Sequence, residues 1–271
     1  MSHTLLETLF AVRAAQPLVQ CITNYVAMNV AANTLLAVGA SPAMVHDKKE
    51  AAEFATLADA LTVNIGTPSE PWVAGMIDAV ESARGAGRPW VLDPVAVGAT
   101  RYRRDVVARL MERAPDVVRG NASEILALSG SSSAGRGPDT GDSVDLARDA
   151  ADAFARRHAC VVAVTGPVDY VTDGKRSVLI AGGSPLMPSV TALGCALTAL
   201  VGAFVAVIPD RFDATVAALS CFAAAGARAG QQAGGPGSFG WRFTDALAGL
   251  DAEMMAEGVR VTAFSRGEFV S

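Results

Sequence analysis

From Ala192 to Ile208 the chain carries no charged side chain and a single hydroxyl, Thr198. Any fold it adopts must therefore surround a whole helix with apolar partners. Gly194, Thr198 and Gly202 interrupt a run that is already at the short end of the membrane-spanning range, which favours a fully buried central helix over a transmembrane one. The residues just ahead, Pro188 to Leu193, follow neither helical nor strand periodicity, and they deliver Gly194 and Cys195 to the helix start. Such a start leaves backbone N–H groups unpaired and carries partial positive charge, so phosphate and developing negative charge are welcomed there. The same field is expected to lower the pKa of Cys195. Small residues packed beneath a buried helix would give the same string, so the rest of the chain has to decide between the two.

A helix that is buried all round needs a large apolar remainder to bury it. Hydrophobic residues make up 51% of the chain and charged ones 18%. Short apolar runs alternate with longer segments of helical spacing, and that alternation predicts an α/β fold with a mostly parallel central sheet covered by helices on both faces. The runs are LVQCI, PAMV, ALTVNIG, WVLDPV, DVVRGN and CVVAVTG. Helices are expected at about Leu5–Ala14, Val26–Leu36, Pro71–Ala83, Arg103–Arg113 and Ser143–His158, with a further one carrying Glu124. Asn24 is placed to cap the second of these. DYVTDGKRSVLIAGG reads as a hairpin turning at Asp173-Gly174, antiparallel and at the sheet edge. Beyond Cys195 the chain reads as helix to Ile208, helix from about Phe212 to Ala229, a Gly-rich loop, and a last helix from about Trp241 to Glu257. The Ser-, Gly- and Pro-rich segment Ser131–Ser143 is linker-like. Read as a surface loop, it leaves residues 1–271 as one domain.

Several functional classes drop out. The net charge of −5, with 22 basic against 27 acidic residues and no basic run longer than a pair, argues against a nucleic-acid partner. Cys21, Cys160, Cys195 and Cys221 form no C-x-x-C pair, and His3, His46 and His158 make neither metal-ligand spacing nor a triad, which argues against structural zinc and a disulfide scaffold. The opening MSHTLLETLFAV lacks a basic n-region and carries Glu7, so no signal peptide is expected, and the widely spaced cysteines point to a reducing compartment, hence the cytoplasm. Lys48, Lys49 and Lys175 complete no Walker loop. Gly235, Gly237 and Gly240 do spell G-x-G-x-x-G, but with Pro236 inside and a helix before it, so the string is no dinucleotide fingerprint.

In an open α/β sheet the ligand crevice lies outside the carboxyl ends of the strands. Asn24, Met44, Asp93, Arg119 and Thr165 fall at such ends, with Glu124 just beyond one. Taken singly, each has a plain alternative: Asp before Pro is a turn residue, Glu near a helix start favours the dipole, and Met is core by propensity. Taken together they form a phosphoryl-transfer set. Asp93 and Glu124 would hold a hydrated Mg²⁺, which takes few protein ligands. Arg119 would neutralise a nucleotide phosphate, Thr165 would hydrogen-bond one, and the Gly194 turn would cradle the group in flight.

The stretches PLVQCITNYVAMNVAANTLLAVGASPAM, ALTVNIGT, WVLDPVAVGAT, VVRGNASEI, VAVTGPVDYVTDG, VTALGCALTALVGAF and GPGSFGWRFTDAL, in this order and over nearly the whole length, resemble the hydroxyethylthiazole kinase family. The resemblance implies a ribokinase-like three-layer fold and transfer of the ATP γ-phosphate to the hydroxyl of 4-methyl-5-(2-hydroxyethyl)thiazole in thiamine salvage. It implies that Asn24 and Met44 line the thiazole pocket, Met44 through its backbone, with the Ala192 backbone beside the substrate. Arg119 and Thr165 would bind ATP, and Asp93 and Glu124 would organise Mg²⁺. Gly194 would belong to the anion hole, and Cys195 would stand where related kinases place an aspartate base. It implies, finally, a homotrimer with sites between neighbouring subunits and no membrane partner. The family pattern Gly-x-Gly-Cys is here Ala192-Leu193-Gly194-Cys195, which matters if the first position needs φ > 0. Two alternatives stay open: another small-alcohol kinase of this fold, for instance one acting on hydroxymethylpyrimidine, and a non-catalytic thiazole- or nucleotide-binding regulator.

Overall fold

The structure is a computed structural model that describes residues 2–130 and 141–264; positions 131–140 of the linker-like segment lie outside the described residues. The first half runs α1 (Ser2–Ala15), β1 (Leu18–Ile22), α2 (Met28–Ala37), β2 (Ser41–Ala43), α3 (Ala51–Leu57), β3 (Ala60–Asn64), α4 (Glu70–Gly85), β4 (Trp90–Asp93), α5 (Arg101–Met111), β5 (Val117–Asn121) and α6 (Ala122–Leu128). The second half runs α7 (Gly141–His158), β6 (Val161–Thr165), β7 (Val168–Thr172), β8 (Ser177–Gly182), α8 (Leu193–Val207), α9 (Arg211–Gln232), α10 (Pro236–Ala248), α11 (Ala252–Gly258) and β9 (Val259–Ala263). The strands form one sheet in the order β2-β1-β3-β4-β5-β6-β7-β8-β9. From β2 to β6 every pairing is parallel; β6 to β9 pair antiparallel.

Helices cover both faces of the sheet, which is why its central strands read as unbroken apolar runs rather than alternating ones. One core lies between the sheet and α1, α8 and α9, with Leu9, Phe204 and Leu219 fully buried; the other lies beneath α4, α5 and α7, around Met76, Trp90 and Leu110. The long apolar run becomes α8, and it is buried because it lies directly on β1 and β3 beneath α9. Gly202 makes that approach possible: a Cβ there would collide with the Thr62 methyl of β3. Burial of Phe204 alone is worth about 2–3 kcal/mol. Among the described residues, no helix is long and apolar enough to cross a membrane.

Three expectations need correction. The hairpin β7–β8 is not the sheet edge, because β9 pairs along β8 from Val178↔Ala263 to Gly182↔Val259. The last helix is two, split at Gly249–Asp251: the Asp251 side chain accepts from Met254 N and caps α11, and the chain then turns into β9. Finally, α2 starts at Met28, and its N-cap, Ala27, makes no side-chain cap bond. Asn24 Oδ1 instead accepts from the N–H groups of Val26 and Ala27 at 3.1 and 3.0 Å, closing the turn ahead of the helix.

Candidate active site

Because β1 to β6 are parallel, their carboxyl ends share one edge, and the start of α8 lies over it. Ala192, the N-cap of α8, has φ 65° and ψ 3°, and its side chain caps nothing. The position therefore does adopt the left-handed conformation that glycine favours, and no N-cap side chain competes for the first N–H groups of the helix. A Cβ on Gly194 would come within 2.8 and 2.9 Å of the two terminal nitrogens of Arg119, so the missing side chain is what seats the guanidinium against the helix start. Arg119 Nη2 donates to Thr165 Oγ1 at 2.5 Å, and Nη1 stands 3.7 Å from Asp93 Oδ2. A cation beside a helix N-terminus is disfavoured by the dipole; the two make chemical sense as opposite walls of one anion site. Arg119 Nε is buried and has no hydrogen-bond partner among the described residues.

Asp93 is wholly buried at the end of β4. Its Oδ2 accepts from Asn64 Nδ2 and from Thr198 Oγ1, both at 2.7 Å, while Oδ1 has no hydrogen-bond partner among the described residues. Burial pushes its carboxyl up to about 6; the charge of Glu124 adds to this, and Arg119, Thr198 and Asn64 oppose it. Glu124 sits in a capping box with Asn121 at the start of α6. Its two oxygens accept from Ala96 N at 2.8 Å and Asn121 N at 2.9 Å. Among the described residues no cluster of three His, Cys, Asp or Glu side chains forms a metal cage. Two carboxylates close enough to feel each other, one with a bare buried oxygen, fit a hydrated Mg²⁺ whose remaining ligands are water and phosphate oxygens.

Asn24 Nδ2 donates to Asn64 Oδ1 at 2.9 Å and to Cys195 Sγ at 3.3 Å. The Cys195 thiol is pushed up from its ordinary value, contrary to the expectation from the helix dipole. Burial is the largest cause and the negative charge of Asp93 the next; the hydrogen bonds from Asn24 and Asn64 and the charge of Arg119 do not offset them. Cys195 is nonetheless the least enclosed of the four cysteines, the other three being buried.

Direct contacts thus bring together Asn24, Asp93, Arg119, Thr165, Gly194 and Cys195, and Glu124 joins them through its charge on Asp93. Met44 stands apart, half-buried one residue beyond β2, with its carbonyl oxygen 3.2 Å from His46 Nδ1. The His46 ring packs edge-on against Trp72, on which Tyr25 stacks. Sequence reasoning missed three residues. Asn64 and Thr198 hold Asp93, and Arg103 donates to the carbonyls of Ile65, Val95 and Gly66 at 2.7–2.8 Å, tying the loops after β3 and β4 together. Asn64 did leave a signal, as the polar residue that closes an apolar run, in the place that Asp93 occupies on the next strand.

The profile of the Hydroxyethylthiazole kinase family matches residues 9–253. A hydroxyethylthiazole kinase of Rhizobium rhizogenes is 61% identical over 254 residues, which cover 93% of this chain and 95% of that protein. The solved structure of a hydroxyethylthiazole kinase protein from Pyrococcus horikoshii superposes with a TM-score of 0.90 at 40% identity, covering 97% of this chain and 100% of that one. Pyridoxal kinase from Staphylococcus aureus, at 16% identity and a TM-score of 0.63, covering 92% of this chain and 99% of its own, shares the fold alone.

Proposed function

The chain belongs to the hydroxyethylthiazole kinase family, and from that premise we infer how its site transfers the γ-phosphate of ATP to the hydroxyl of 4-methyl-5-(2-hydroxyethyl)thiazole, the salvage step that feeds thiamine synthesis. One observation carries the reading: the Arg119 guanidinium faces Gly194 at an α8 start whose N-cap residue caps nothing, with the bare oxygen of Asp93 alongside. Phosphoryl transfer asks little covalent chemistry of a protein and much positive potential, and this corner supplies it.

In this reading Arg119 and Thr165 bind the ATP phosphates, and the backbone N–H groups from Ala192 to Gly194 receive the transferring group. Asn24 and the backbone of Met44 line the thiazole pocket. Asp93 and Glu124 would hold a Mg²⁺, which would supply neutralisation of the phosphate charge. The raised pKa of Cys195 keeps it a thiol at neutral pH, so it is a poor proton acceptor. In a loose transition state the alcohol proton leaves late, and electrostatics then carry most of the rate. The chain acts as one kinase domain. A homotrimer with sites between subunits belongs to the same proposal; Tyr25 and Val26, exposed beside Asn24, support it, and light scattering in solution tests it. So does a cytoplasmic location, tested by fractionation.

The test of the reaction is to incubate purified protein with ATP, Mg²⁺ and a panel of hydroxyethylthiazole, hydroxymethylpyrimidine and pyridoxal, and to read phosphate esters by ³¹P NMR. The thiazole ester should dominate. A folded protein that makes none of them would be a binder rather than a kinase, and a preference for hydroxymethylpyrimidine would move it to the neighbouring activity.

A further inference from the structure

We propose that Asn64 is a positioning residue for phosphoryl transfer: its buried amide fixes the orientation of Asp93 relative to Asn24 and Cys195 through a one-way chain of hydrogen bonds. The inference rests on the assignment of Asp93 and Asn24 to the site. It adds a residue on β3 that touches neither substrate nor the reacting atoms.

The direction of the chain follows from its partners. Asn24 Oδ1 accepts from two backbone N–H groups, those of Val26 and Ala27. A backbone N–H can only donate, so the oxygen of the Asn24 amide must face them and its nitrogen must face inward. That nitrogen meets Asn64 at 2.9 Å and Cys195 Sγ at 3.3 Å. Asn64 must then offer its oxygen to Asn24, and the same oxygen accepts from Gly66 N at 2.9 Å. Its NH₂ is left to donate to Asp93 Oδ2 at 2.7 Å. No amide in the chain can flip without placing two donors, or two acceptors, face to face in a buried site.

The consequence falls on Asp93. With Asn64 and Thr198 both donating to Oδ2, the carboxylate is locked about its own axis and Oδ1 is the oxygen left without a partner among the described residues. At the other end, the bond that Asn24 donates to Cys195 sets the sulfur as an acceptor. One side chain thus sets which oxygen of Asp93 the site can use and how Asn24 meets the first turn of α8. Gly66 makes room for this, since a Cβ there would lie 2.6 Å from Asn24 Nδ2. Its φ is not in the left-handed range, so alanine at that position disturbs Asn24 and not the backbone.

The test is steady-state kinetics of the full-length protein with ATP and hydroxyethylthiazole. Asn64→Asp keeps the acceptor toward Asn24 and Gly66 N but removes the donor to Asp93; Asn64→Leu removes both. Gly66→Ala displaces Asn24 without touching Asn64. Each should lower kcat by about 100-fold, the scale of a misplacement of about 1 Å, while KM for ATP stays within about threefold. In the Asn64→Leu/Asn24→Ala double variant the losses should not multiply, because both break one chain. If a folded Asn64→Asp or Gly66→Ala protein keeps kcat within about threefold of wild type, or if the losses multiply, the chain does not position Asp93. Asp93→Ala, measured alongside, separates the two failures. An inactive Asp93→Ala with active Asn64 variants overturns the relay alone, whereas an active Asp93→Ala overturns the site assignment and the relay with it.

Discussion

Replacing Ala192 by glycine should stabilise the protein, although it adds freedom to the chain. Ala192 sits at φ 65°, ψ 3°, where the Cβ of an L-residue crowds the following carbonyl at a cost of about 1–2 kcal/mol. Glycine relieves that crowding but costs about 0.4–1 kcal/mol through the larger entropy of the unfolded chain. The balance is a gain of about 0.5–1 kcal/mol, a rise in Tm of about 1–3 °C for a chain near this length. Denaturant unfolding followed by circular dichroism should show a higher midpoint at unchanged m-value. Because alanine already holds the left-handed geometry, the N–H groups that follow are already aimed, and kcat should stay within about threefold. Ala192→Val should move stability the other way, since β-branched residues tolerate positive φ worst. Ala159, also at positive φ (51°) and outside the site, serves as the comparison: Ala159→Gly should give a similar gain. If Ala192→Gly destabilises while Ala159→Gly stabilises, the strain at the helix start is not what the dihedrals imply. A fall in kcat of more than about tenfold would mean that the Ala192 methyl itself contributes to the site.

Three further outcomes are expected. Arg119→Lys removes the guanidinium that reaches Thr165 through Nη2, faces Asp93 through Nη1 and lies against Gly194, so KM for ATP should rise by about tenfold or more, with the fold intact by circular dichroism. Burial pushes the Asp169 carboxyl up to about 6, opposed by its hydrogen bond from Gly166 N and by the charge of Arg119. The folded state therefore keeps a proton that the unfolded chain loses near pH 4, and stability falls as pH rises from about 4 to 6. Asp169→Asn cannot lose that proton, so its stability relative to wild type should rise across that window by about 1–3 kcal/mol in urea unfolding; a difference that is flat with pH would contradict the assignment. Gly202→Ala forces a methyl into Thr62 beneath α8 and should cost about 1–3 kcal/mol in the same assay.

What the sequence made legible was whatever depends on local pattern. β1 is a short apolar run that follows Pro17, β4 lies between Pro89 and Pro94, β6 ends just before Gly166-Pro167, and α8 is apolar all round, so their positions followed from local pattern alone. β9 escaped because VRVTA, although it alternates, is a short edge strand whose inward Val259 and Val261 are only half-buried, and the helical spacing of α11 runs straight into it. Gly249 and Asp251 carried the signals for a break before α11, but the helical spacing on both sides masked them. The strand-end residues were visible because parallel topology sends carboxyl ends to one edge. How they are wired was not, since Asn64, Asp93 and Thr198 meet only after β3, β4 and α8 pack. The direction of the Cys195 shift failed for the same reason: the dipole is local, whereas the burial and the Asp93 charge that outweigh it arise from the tertiary structure.

In the proposed reaction the backbone at the start of α8 carries more of the catalysis than the sulfur. Comparing kcat for Cys195→Ser and Gly194→Val tests this directly. Valine at 194 would drive the Arg119 guanidinium away from the helix start and should lower kcat by about 100-fold or more, while serine at 195 should cost about tenfold or less. A Cys195→Ser enzyme that loses far more kcat than Gly194→Val would contradict the account, and would make the thiol the base.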